Sequence, residues 1–144
     1  MNAHEWLSQV REVDDEILVL RRSMFNAWAL ATSTTPSLDG VAVQTSHDPH
    51  KFDGVAELDE TIYDRIRELS ALKAKAVRVI SGLEDPRQRK VLMAYYVDCR
   101  LPESGRKKTW EMVAVELYMS WGCLMDTKKA ALCAVDKFLD KLGQ

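Results

Sequence analysis

At 144 residues, 47% hydrophobic and 29% charged, the chain can bury a real core and is sized for one or two small domains. No apolar run approaches the roughly 20 residues of a membrane span. The opening MNAHEWLSQVREVDDE has neither the basic region nor the apolar core of a signal peptide, so a cytoplasmic protein without a membrane partner is expected. Net charge is −2 but uneven: residues 1–84 hold 9 Lys or Arg against 14 Asp or Glu, and residues 85–144 hold 11 against 8. The second part, at +3, has the sign expected of a module that approaches phosphates.

Trp6, Val10, Val13, Ile17, Leu20, Met24, Ala27 and Ala31 step by fours and threes. That is the seam of a helix of about 25 residues packing along one line against another helix. The segment Ser33 to Gly54, STTPSLDGVAVQTSHDPHKFDG, is punctuated by Pro36, Gly40, Pro49 and Gly54 and reads as a long, poorly ordered loop. His47 and His50 flank Asp48 there, but HDPH lacks a helical i, i+4 pair and has no cysteine nearby, so a solvated loop is expected and no metal. A second seam follows through Val55, Leu58, Ile62, Arg65, Leu69, Leu72, Ala76, Val79 and Leu83, with Ile66 and Ile80 thickening it. The two helices fold back as an antiparallel, coiled-coil-like hairpin or pair across a dimer. The apolar surface widened by Trp6, Trp28, Ile66 and Ile80 favours a homodimer. Residues 1–84 are thus expected as a hairpin for oligomerisation or partner binding, and 85–144 as a separate domain.

The second part has clear punctuation. Asp85 can cap a helix with Pro86 at its first position and Gln88 where a capping-box partner belongs. Val91, Leu92, Tyr95 and Tyr96 form its apolar face, with Arg87, Arg89 and Lys90 opposite. A basic loop, RLPESGRKK (Arg100 to Lys108), leads to TWEMVAVELYMSWGCLMDTKK (Thr109 to Lys129). Thr109 can cap a short helix whose stripe is Trp110, Val113, Ala114 and Leu117. Ser120 can cap the next helix near Cys123, with Leu124, Ala131, Val135, Phe138 and Leu142 running to the chain end. The three residues between, Tyr118 to Ser120, leave room only for a sharp corner, the signature of a helix-turn-helix. Small Ala114 permits close approach, while Met119 and Leu124 close the corner from inside. Cys99, Cys123 and Cys133 are odd in number and lack CxxC spacing, so they read as thiols outside any disulfide framework or zinc site.

The helix start DPRQR, the AYY that ends that helix, TWEMVAVEL, the turn and Ser120 together resemble the trihelical region-four fold of bacterial sigma factors. The wider layout, ATSTTPSL (Ala31 to Leu38) followed by LEDPRQRKVLMAYYVD (Leu83 to Asp98), resembles small phage and prophage late-gene transcriptional regulators of the RinA and ArpU type. The resemblance implies an all-α chain, a helical hairpin followed by a trihelical helix-turn-helix domain. It also implies double-stranded DNA as partner, and late-gene control by recruiting RNA polymerase of a bacterial host. Phosphate contacts would then fall to Arg106, Lys107, Lys108, Lys128 and Lys129, with Trp121, Gly122 and Met125 facing the groove. Tyr118 stands where such motifs usually place Gly, and the recognition helix starts without the Arg, Asn or Gln that reads base edges. Phosphate-dominated, weakly specific contact is expected. The alternative is a protein-interaction module that keeps the scaffold and grips RNA polymerase or another host protein through Trp121 and Met125. No Ser/His/Asp order, glycine-rich phosphate loop or HExxH motif appears, so neither catalysis nor a cofactor is expected.

Overall fold

The computed structural model describes residues 2–32 and 52–142. The protein is all-α: α1 (Ala3–Thr32), α2 (Asp53–Ser81), α3 (Pro86–Leu92), α4 (Trp110–Glu116) and α5 (Trp121–Lys141), with a π-helical turn Met93–Val97 extending α3. Among the described residues the sole sheet-like feature is an antiparallel bridge between Arg100 and Lys107. Most of the long loop expected at Ser33 to Gly54, including His47, Asp48 and His50, lies outside the described residues. Its last two residues, Asp53 and Gly54, begin α2.

Short polar side chains fix where the helices start. Asn2 and Glu5 form a reciprocal capping box, Glu5 N donating to Asn2 Oδ1 at 2.8 Å and Asn2 N to Glu5 Oε2 at 3.4 Å. Asp85 accepts from Arg87 N, Thr109 from Met112 N and Ser120 from Cys123 N, each satisfying an amide without a partner within its helix. In the π turn Asp98 N donates to Met93 O at 2.7 Å, the i to i+5 bond that defines this wider winding.

The chain groups into two compact units, and their limits fall at Asp14/Asp15 and Glu68/Leu69 instead of between residues 84 and 85. One unit joins residues 2–14 to residues 69–142. Its main core gathers Leu7 and Val10 of α1, Val79 and Ile80 of α2, Leu92 and Tyr96, and Ala131 and Val135 of α5. A second cluster holds Val91, Ala94, Val113, Ala114 and Leu124, with Leu117 and Met119 against it. At Gly82 a Cβ would stand 3.2 Å from the Phe138 ring, so glycine lets the end of α2 meet α5. Further ties bind α1 here: Ala3 N donates to Asp136 Oδ1 at 2.6 Å, His4 meets the Tyr96 hydroxyl at 3.0 Å, and Arg11 donates to the Lys108 carbonyl.

The other unit, residues 15–32 and 52–68, is two helix segments. Glu16 pairs with Arg65 at 2.9 Å, and Trp28, further along α1, donates to Asp59, earlier on α2, at 3.2 Å, so the segments run in opposite directions. Trp28 also stacks on Phe52 with ring centres 6.0 Å apart. Of this unit's seam residues, Ile62 alone is fully buried; Ile17, Leu20 and Met24 are half-buried and Leu58 is exposed.

Candidate functional site

The corner between α4 and α5 is built from a short list of residues. After Glu116 the helix cannot continue, because Tyr118 takes φ 55°, the left-handed region that non-glycine residues seldom enter. Met119 N then reaches back to Ala114 O at 2.9 Å, Ser120 caps α5, and Leu124 and Met119 fill the inside of the bend. Tyr118 points outward and is 97% exposed, so its side chain anchors nothing and its strain is held by the packing around it.

A groove of about 340 Å³ opens at this corner, lined by Arg87, Lys90, Leu117, Tyr118, Met119, Ser120 and Cys123. Ser120 and Cys123 bring the N-terminal end of α5 into its lining, where the helix dipole carries partial positive charge. Arg87 and Lys90, three residues apart on α3, add two cations to its rim. Neither makes an ion pair among the described residues. Their i, i+3 spacing was visible in DPRQRK, but that α3 lies beside the corner required the packing of Val91 and Ala94 on Val113 and Leu124. Arg89, between them, instead closes the end of α2 by donating to the carbonyls of Leu83 and Glu84 at 2.5 and 3.0 Å.

The residues expected to meet DNA divide. On α5, Gly122, Asp126, Lys129 and Cys133 form the solvent face; Gly122 stands in open space and Trp121 is half-exposed. Met125 packs partly into the second cluster. Lys128 is held over the Trp110 ring at 4.4 Å, on the far side of which Tyr95 is stacked at 3.6 Å. Arg106 is exposed.

Lys107 pairs with Glu12 at 2.5 Å. Lys108 is only 3% exposed, its ammonium 3.0 Å from Glu116 and 3.6 Å from Asp98. A buried ammonium is tolerated because those carboxylates neutralise it, and it is turned away from any phosphate.

Elsewhere in this unit, burial pushes the Tyr96 phenol far above its ordinary value, with Tyr95 adding to the effect and Arg11 opposing it. Burial also raises the Cys99 thiol, helped by the Asp14 charge. Among the described residues no three His, Cys, Asp or Glu side chains gather as metal ligands, and no helix is long and apolar enough to cross a membrane. Comparison with protein-family models, with curated proteins and with solved structures found no match.

Proposed function

We propose that α4, the Tyr118 corner and α5 form a helix-turn-helix that holds duplex DNA mainly through its phosphates, in a regulator of transcription of the phage late-gene type that recruits host RNA polymerase. The observation that carries this reading is the groove at the corner, where the Ser120-capped N-terminal end of α5 and the cations of Arg87 and Lys90 line one space. Arg87, Lys90, Arg106 and Lys129 are the phosphate-binding set, with Lys107 and Lys128 contributing after giving up their present partners. Lys108 is left out of that set by its burial. Trp121 and Gly122, exposed at the start of α5, face the groove of the bound duplex. The solvent face of the first three turns of α5 offers one cation, Lys129, and one anion, Asp126, so sequence preference is weak.

Titration of random duplex DNA across a salt series tests this. Replacing Arg87, Lys90 and Lys129 together by Ala removes three phosphate contacts and lowers the slope of log K against log salt by roughly 0.9 for each. Lys108→Met leaves the slope unchanged. A parent protein that fails to bind at low salt, or a triple variant that binds as tightly as the parent, ends the proposal.

A second reading has its own observation. Met112, Val115, Tyr118 and Trp121 stand three residues apart across the corner and all are exposed, Val115 at 76%. Such an apolar row suits a protein partner, RNA polymerase or another host protein, and binding through it would hardly respond to salt.

A further inference from the structure

We infer that the unit formed by residues 15–32 and 52–68 is a self-association surface whose occupant is a second copy of this chain, and this goes beyond the DNA-contact proposal. Between its two segments lies an apolar cleft of about 630 Å³ lined by Met24, Phe25, Trp28, Tyr63 and Ile66, with Arg21 on one side and Asp59 on the other. Phe25 is 73% exposed at its edge, and Leu18 and Tyr63 are also exposed. Two helices with Ile62 as their one fully buried seam residue keep little apolar area from water, whereas a copy laid over the cleft would cover these rings.

Charge selects a copy of the same chain and the way it lies. Between Ile17 and Thr32, α1 carries Arg21 and Arg22 and no acid; between Asp53 and Asp64, α2 carries Asp53, Glu57, Asp59, Glu60 and Asp64 and no base. Arg21 and Arg22 have no ion pair among the described residues. A two-fold axis parallel to the helices sets α1 of each copy over α2 of the other, basic row over acidic row, twice. An axis across the helices would set like rows face to face. In the first arrangement Arg21 comes over the Asp59–Tyr63 turn of the second copy, and Asp59 gives only one oxygen, Oδ1, to Trp28. Each segment is about 25 Å long. A face two helices wide therefore has a footprint on the order of 500 Å², commensurate with the roughly 800 Å² of accessible surface each partner buries in a standard interface.

Sedimentation equilibrium of the full chain without DNA tests the inference independently of how α5 is used. The parent should approach twice its 16.4 kDa mass at tens of micromolar. Phe25→Glu should weaken association roughly thirtyfold or more, and Tyr63→Lys, on the other helix, gives the same result should the first variant lose helicity in circular dichroism. Arg21→Glu and Asp59→Lys should each weaken it about tenfold, and the two together should recover most of the loss. The inference is overturned by a parent of 16.4 kDa at that concentration, the face then being covered by another protein or by the chain's own residues. It is equally overturned if folded Phe25→Glu or Tyr63→Lys keeps the parental mass, or if the double charge variant is weaker than either single one.

Discussion

The two ends of α1 carry one apolar seam with the same steps and end in different circumstances. Trp6, Leu7 and Val10 are buried in a core shared with α2, α3, the π turn and α5, whereas Ile17, Leu20 and Met24, further along the same helix, are half-buried beside a single helix. Periodicity states which face of a helix is apolar. How completely that face is covered depends on how many other elements the topology brings to it: α2, α3, the π turn and α5 converge on the first end, while α2 alone meets the second.

Truncation along α1 tests this contrast with the largest expected effect. Leu7 is fully buried, so Leu7→Ala should cost about 2–5 kcal/mol in urea unfolding. Leu20→Ala should cost nearer 1 kcal/mol, since roughly half of that side chain's transfer energy is at stake. Equal costs would erase the contrast between the two units.

Much of the fold was legible because caps and corners are local. Asp85, Thr109 and Ser120 each hold the amide that their spacing promised, and the bulky residue at the left-handed corner position is Tyr118. The candidate site was legible in part. RKK at 106–108 reads as one basic patch, yet the Arg100–Lys107 bridge gives the segment extended backbone, whose side chains alternate. Lys107 therefore meets Glu12 while Lys108 turns inward to Glu116 and Asp98. Arg87 and Lys90 do not stand out in the sequence for the opposite reason, their meeting with α5 being a long-range consequence of the second apolar cluster. Nor does a seam tell whether its partner lies in the same chain.

A smaller effect sharpens the comparison from the side of the compact unit. Tyr118 is nearly fully exposed and makes no packing contribution that glycine would forfeit, while its φ of 55° disfavours any side chain. Tyr118→Gly should therefore stabilise the protein by roughly 0.5 kcal/mol, the relief of about 1 kcal/mol being offset in part by the greater freedom of glycine in the unfolded chain. A loss of stability instead would mean that the exposed ring packs against something in solution, and would favour the row from Met112 to Trp121 as a partner surface.

The smallest effect concerns protons, and it too belongs to the compact unit. Cys99 is buried beside Arg11 O, to which its thiol donates at 3.5 Å, and burial raises it above the ordinary value of 9.0. A raised folded value means that the native state holds the proton after the unfolded chain has begun to lose it. The associated stability is complete below pH 9 and falls as pH climbs through the unfolded and then the folded value. At pH 9 itself half of the unfolded thiols are ionised, so the loss from this group is at most RT ln 2, about 0.4 kcal/mol. Tyr96, raised in the same direction by burial, adds its own decline only from about pH 10 upward. Urea midpoints compared at pH 7.5 and 9 should therefore drop slightly for the parent and less for Cys99→Ala, whose packing cost is present at both pH values and cancels. An identical drop in the two proteins would show that the thiol ionises as readily in the folded state as in the unfolded one, and that the wall between α1 and the Cys99 segment is open to water.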